Sequence, residues 1–366
     1  MKTRYLVLED GTVFKGEAFG SEQASIGETV FTTGMTGYQE AISNPSGFGQ
    51  ILVMTYPLIG NTGINRDDYE SIELAINGIV VREYSDEPSN FRSTMTLGDL
   101  LTLKGIPGIQ GIDTRKLTRL LREKGPLKGK LTAAGEELDV VVANREIEAY
   151  EVPVNQVGAM STKKAYSSPG QGKRVVVIDY GLKHGLLREL NKRDFDVIVV
   201  PYNTSTEAIL ALVPDGILLS NGPGNPEDVE GASHTIKHLV GKAPIFGIGL
   251  GHQLLAMSYG AKIQKMKYGH SGGNYPVKDL TTGRTELTSQ SHSYVLEESS
   301  IASTPLSVTH RALNDGTVEG ICNDADRVFS VQFHPEASSG PHDASHLFDR
   351  FANLIYSSTR KENFYA

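Results

Sequence analysis

The segment that most restricts the fold is Pro244-Ile245-Phe246-Gly247-Ile248-Gly249-Leu250-Gly251-His252-Gln253. A short run of β-branched and aromatic residues meets three alternating glycines and then residues that suit a helix. This order fits a buried strand turning sharply into a helix. The flanking glycines allow close backbone approach, and the middle position sits at an angle most residues avoid. The expected strand is Ile245–Ile248, and the expected helix starts at His252. A dinucleotide fingerprint is rejected, because the sixth position is His252 rather than Gly and the strand is not the first of its series. The surrounding sequence repeats the alternation. Strands are expected at Val175–Asp179, Asp196–Val200 and Gly216–Leu219, with helices over Lys183–Lys192, from Glu207, and over Ser233–Val240. The fold class is therefore α/β, an open and mostly parallel sheet with its functional groups at the C-terminal strand ends.

The first half of the chain reads differently. Tyr5–Leu8 and Thr12–Lys15 flank Glu9-Asp10-Gly11, a hairpin signal. Residues Gly27 to Gly63 hold too many turn formers for one long element. A helix is expected from Asp113 or Thr114, as N-cap, through Arg122. Residues 161–173, STKKAYSSPGQGK, lack bulky apolar side chains and read as a linker. The expected organisation is a β-containing N-terminal domain over 1–150, a linker over 151–173 and an α/β domain over 174–366. A length of 366 residues suffices for two cores.

Composition removes several functions. A formal net charge of −8 gives no electrostatic reason to bind nucleic acid or an anionic membrane. The single cysteine, Cys322, excludes an intramolecular disulfide and a multi-cysteine zinc site. His184, His234, His238 and His270 show no metal-type spacing with acidic or cysteine partners, so no metal is expected. No apolar stretch reaches membrane-spanning length, and a cytoplasmic location is expected. Arg115, Arg119 and Arg122 fall at i, i+4 and i+7 and read as a solvated basic helix face, with docking to an acidic partner surface as the alternative.

Three strand ends carry polar groups in patterns that suit one site. The elbow is the first, and backbone N–H groups at the helix start beyond it can stabilise an oxyanion. Ser220-Asn221-Gly222-Pro223-Gly224 is the second. The third is His334-Pro335-Glu336, after an expected strand over Val328–Phe333. There His334 is a plausible base, with Glu336 as its orienting partner.

These residues together resemble a class I, triad-type glutamine amidotransferase. GETVFTTGMTGYQE, TYPLIGNTG and GIDTRKLTR in the first half narrow the likeness to the small subunit of carbamoyl-phosphate synthetase, and it runs over nearly the whole chain. The resemblance implies a ligase complex. Glutamine would be hydrolysed on this chain, and a large subunit, which would hold the ATP and Mg sites, would combine the ammonia with bicarbonate. The heterodimer's carbamoyl phosphate would serve arginine and pyrimidine biosynthesis. No cofactor is implied for this chain, and it has no P-loop. The resemblance places glutamine contacts at Ser46, Gly222, Gly224, Leu250 and Gln253, and in altered form at Ser291, Ser293 and Tyr294.

Gly249 stands where the family has its nucleophilic cysteine, and Cys322 does not match that position. Glycine can neither attack a carbonyl nor carry an acyl group, so the covalent glutaminase route is expected to fail. Asn274-Tyr275-Pro276 replaces the family's Asn-His-Pro, and Gln290-Ser291-His292-Ser293-Tyr294 replaces Gln-Asn-His-Gly-Phe. One change would suit an engineered or erroneous residue in an active glutaminase. Three around one pocket fit drift toward a pseudoenzyme that serves as a structural or regulatory partner in ammonia-dependent synthesis. A free-standing binding module is a third reading.

Overall fold

A computed structural model describes residues 2–362, in two compact units. The first holds the residues up to Pro153 together with His270–Gly272, and the second holds Val154–Gly269 and the residues from Gly273 on.

In the first unit the elements run β1 (Thr3–Leu8), β2 (Val13–Gly20), β3 (Ser25–Thr32), α1 (Tyr38–Ile42), β4 (Gln50–Met54), β5 (Leu58–Ile59), β6 (Gly78–Val80), β7 (Glu83–Tyr84), α2 (Leu97–Leu103), β8 (Pro107–Gln110), α3 (Thr114–Lys124), β9 (Leu127–Leu131) and α4 (Val140–Ala149). Seven strands close a barrel in the order β1-β2-β8-β6-β4-β3-β9, and β5 pairs with β7 apart from it. The expected hairpin is β1–β2, paired from Thr3↔Glu17 to Val7↔Val13. Gly27 to Gly63 is broken into short pieces, as its turn residues require. Arg4 is fully buried, and its guanidinium donates to the carbonyls of Thr132 (2.8 Å), Gly108 (2.9 Å) and Ser21 (2.7 Å). A buried guanidinium is tolerated when its N–H groups find acceptors. Here those acceptors are backbone atoms of three separate segments. Burial nonetheless pulls its pKa down to about 10.

Helix α3 begins as expected. The Asp113 side chain accepts from the N–H of Lys116 at 2.9 Å, and Leu117 and Leu121 are buried. The helix runs two residues past Arg122, to Lys124, and stops at Gly125 with φ 91°. Arg115, Arg119 and Arg122 are all exposed.

The second unit runs α5 (Gln156–Met160), β10 (Tyr166–Ser168), β11 (Arg174–Asp179), α6 (His184–Asn191), β12 (Asp196–Pro201), α7 (Thr206–Ala211), β13 (Gly216–Leu219), α8 (Ala232–Leu239), β14 (Ile245–Ile248), α9 (Leu250–Ser258), β15 (Ile263–Asp279), β16 (Thr285–Leu296), α10 (Glu298–Ile301), β17 (Ser307–Ala312), β18 (Val318–Asn323), β19 (Val328–Val331) and α11 (His346–Glu362). Its ten-stranded sheet has the order β10-β12-β11-β13-β14-β19-β18-β17-β15-β16. The stretch from β12 to β19 is parallel. Strands β17, β18 and β19 pair antiparallel.

Both faces of the parallel part are covered, which is why its strands read as unbroken apolar runs. Val175 and Val177 of β11 pack with Leu186 and Phe351 on one side. Val176 and Ile178 pack with Ile236 and Leu254 on the other. This is the alternation a pleated strand imposes.

The segment that reads as a linker contains α5 and β10. β10 pairs antiparallel with β12 at Tyr166↔Val199 and lies at the edge of the sheet, with Tyr166 exposed. An edge strand with little to bury needs few apolar side chains, so its composition resembles a spacer. Among the described residues, no helix is long and apolar enough to cross a membrane.

Candidate active site at the strand ends of the second unit

Registry brings the three strand ends together. Ile178 pairs with Leu219, Leu219 with Gly247, and Ile248 with Val331. The residues just beyond, Tyr180–Lys183, Ser220–Gly224, Gly249 and Gln332–His334, therefore leave the sheet along one edge.

The elbow is a sharp turn. Gly249 has φ 59° and ψ −113°, and its N–H donates to the carbonyl of Val331 at 3.0 Å. Its own carbonyl accepts from His252 (3.1 Å) and Gln253 (3.3 Å), so α9 starts at Leu250, two residues earlier than the sequence suggests. A side chain at Gly251 would lie 2.3 Å from the Leu219 carbonyl oxygen, so glycine is required there. Leu250 is the first helical residue, and its N–H is among those an α-helix leaves without an internal acceptor. A side chain at Gly222 would meet Leu250 Cδ2 at 2.8 Å, so this loop and the elbow touch.

His334, Glu336 and a third residue form a buried chain. His334 Nδ1 donates to Glu336 Oε1 at 2.8 Å, and Lys183 Nζ donates to the same oxygen at 2.9 Å and to the Ala337 carbonyl at 2.8 Å. All three side chains are at most 2% exposed. Burial alone would raise the Glu336 pKa. The Lys183 charge, followed by His334, more than offsets this and holds the carboxyl at about 2. With Nδ1 committed to the carboxylate, Nε2 is the ring atom left for proton transfer. The bridge Ser289↔His334, with the His334 N–H donating to the Ser289 carbonyl at 2.8 Å, ties β16 to this residue.

Gln253 Nε2 donates to the Tyr294 carbonyl (2.8 Å) and to Gln332 Oε1 (2.9 Å), joining the elbow helix to β16. Ser291, Ser293 and Tyr294 lie half-buried on β16. Gly224 has φ 86° and sits against Gln156. Ser46 lies in the first unit, in a turn whose Asn44 side chain accepts from its N–H at 3.0 Å.

Reading the sequence misses Lys183, which appears there only as a helix start. It follows β11, a fourth strand end, and that placement is the available signal. Asn221 is also undervalued. Its Oδ1 accepts from the Lys183 N–H (3.1 Å) and its Nδ2 donates to the Gly181 carbonyl (2.8 Å), which fixes the Lys183 backbone.

His252 is fully buried, with Nδ1 at 2.9 Å from Ser330 Oγ. Burial, with a lesser contribution from His310, pushes its pKa down to about 3. Its folded-state pKa thus lies below the ordinary value of 6.5. Between those two values the unfolded chain binds more protons, so stability falls as pH drops through that window. Denaturant midpoints measured from pH 7 to pH 4 are expected to decline, and His252→Gln to flatten the decline.

An elbow and a buried His–Glu dyad at the strand ends of a parallel sheet define the class. Residues 176–354 match the family model for glutamine amidotransferase class-I, and residues 6–131 match that for the carbamoyl-phosphate synthase small chain, CPSase domain. The chain is 56% identical over 359 residues to a carbamoyl phosphate synthase pyrimidine-specific small chain of Bacillus subtilis, covering 98% of this chain and 97% of that one. It is also 56% identical over 358 residues to a carbamoyl phosphate synthase small chain of Bacillus caldolyticus, covering 98% of each. The chain belongs to the carbamoyl phosphate synthase small-chain family and carries a class I glutamine amidotransferase domain.

Proposed function

We propose that this chain is a small subunit whose glutaminase has lapsed, kept as the partner of a large synthetase subunit that makes carbamoyl phosphate from bicarbonate, ATP and free ammonia. The observation that carries the reading is Gly249. A buried base and its orienting carboxylate stand at the same sheet edge as an elbow whose central residue has no side chain. Acyl transfer by the covalent route needs a nucleophile bonded to the protein at that position. His334 would have no thiol to deprotonate. Glutamine binding through Gly222, Gly224, Leu250, Gln253 and the altered Ser291, Ser293 and Tyr294 is the part of the ancestral function this reading retains. The pyrimidine-specific name carried by the Bacillus subtilis relative supports pyrimidine synthesis as the consumer of the product.

The test is co-expression with the large subunit from the same source. The expected result is a stable complex that makes carbamoyl phosphate from ammonia and yields no glutamyl thioester when quenched with labelled glutamine. A trapped thioester would overturn the loss of glutaminase, and failure to form a complex would favour a free-standing module. A cysteine codon at position 249 in the source DNA would restore the active-glutaminase reading.

A further inference from the structure

Away from the strand ends, α8 carries His234 and His238 one helical turn apart, both exposed. Their ring centroids are 4.3 Å apart with planes inclined at 53°. His238 Nδ1 lies 2.8 Å from the His234 carbonyl oxygen. A carbonyl can only accept, so in the neutral ring Nδ1 carries the proton and Nε2 keeps its lone pair. Metal-binding histidines are oriented in this way, with one ring nitrogen donating to a backbone carbonyl and the other left to ligate. The neighbouring α7 adds a carboxylate, Glu207. It is held below its ordinary range first by its own backbone N–H and by Ser205, and it also interacts with His238. The histidines lack cysteine or acidic partners at metal-type spacing in the sequence, but the helix turn supplies a spacing of its own.

We infer that His234 and His238 form a two-imidazole site for a divalent first-row transition ion of the Zn²⁺ and Cu²⁺ type, with water completing the shell. Two imidazoles at i and i+4 can reach one ion at the usual nitrogen–metal distance of about 2.0–2.1 Å, and imidazole selects Zn²⁺, Cu²⁺ and Ni²⁺ over Mg²⁺ and Ca²⁺. The two ligands face one ion only while the helix is formed, so the ion binds the folded state in preference and raises its stability by mass action. This inference is independent of the state of the glutaminase.

The experiment titrates the metal-free full chain with Cu²⁺ and follows nitrogen coupling in the electron paramagnetic resonance spectrum. His234→Asn, His238→Asn and the double variant serve as comparisons, with Mg²⁺ as the control ion. The parent is expected to show a site with two imidazole nitrogens. Each single variant should bind that equivalent at least about tenfold more weakly, the lower end of what a lost metal-site partner typically costs. The thermal midpoint of the parent should rise with Cu²⁺ more than that of the double variant. Both side chains are exposed, so the variants are expected to fold. Equal Cu²⁺ affinity and an unchanged spectrum in the double variant would overturn the inference, as would one-nitrogen coordination in the parent.

Discussion

Gly249→Cys is expected to create glutamine-dependent carbamoyl phosphate synthesis in the complex and to leave ammonia-dependent synthesis as it was. The gain comes from a pre-built surround. The His334–Glu336 pair is in hydrogen-bond contact, and the elbow already has the backbone geometry the nucleophile needs. Loss of a covalent nucleophile removes up to about 10⁶-fold in turnover where it has been measured in a hydrolytic triad. A gain of roughly 10³-fold or more is expected even with Ser291 and Ser293 on β16. The same substitution is expected to destabilise the fold. A φ of 59° is free for glycine but costs about 1–3 kcal/mol for a residue with a Cβ. The new Cβ would also sit 3.3 Å from Asn221 Cβ, tighter than an ordinary contact. Initial rates with glutamine and with ammonia, beside urea midpoints, check both halves. A folded, glutamine-binding variant with no gain would mean that the dyad and the elbow are not aligned for reaction.

Much of this site is legible in the sequence because strand ends and their glycines have steric signatures. Gly247, Gly249 and Gly251 mark a turn that few other residues could make, and His334 and Glu336 follow a short apolar run. Lys183 is not legible in the same way. Lysine after a strand is usually solvated, and only the fold shows that this one is 1% exposed and paired with Glu336. The closed barrel of the first unit is hidden for a related reason. Its closure depends on long-range pairing, such as β1 with β9 at Leu6↔Leu131, which local periodicity does not encode. The edge strand β10 fails in the opposite sense, since exposure erases the apolar pattern by which strands are read.

Lys183→Met is expected to destabilise the protein by about 3–5 kcal/mol, because it strands the Glu336 carboxylate in a site from which water is excluded. One oxygen of that carboxylate, Oε2, has no hydrogen-bond partner among the described residues, so the ion depends on what Oε1 receives from Lys183 and His334. Glu336→Leu should be comparably damaging for the converse reason: it takes the carboxylate away from a buried ammonium. The double variant should be more stable than either single one, since an apolar pair needs no mutual charge, and the difference is the coupling between the two sites. The pH dependence separates this from simple loss of packing. In the parent, Glu336 titrates at about 2 against an ordinary value of 4.5. Its contribution is therefore complete above the ordinary value and is lost as pH falls toward the folded one. Lys183→Met removes the largest influence that lowers this pKa, so the carboxyl should take up its proton at higher pH. The variant's deficit should then shrink as the solution is acidified. A deficit that stays constant from pH 7 to pH 4 would mean that Lys183 acts through packing of its aliphatic chain, and that His334 is oriented without help from the buried charge.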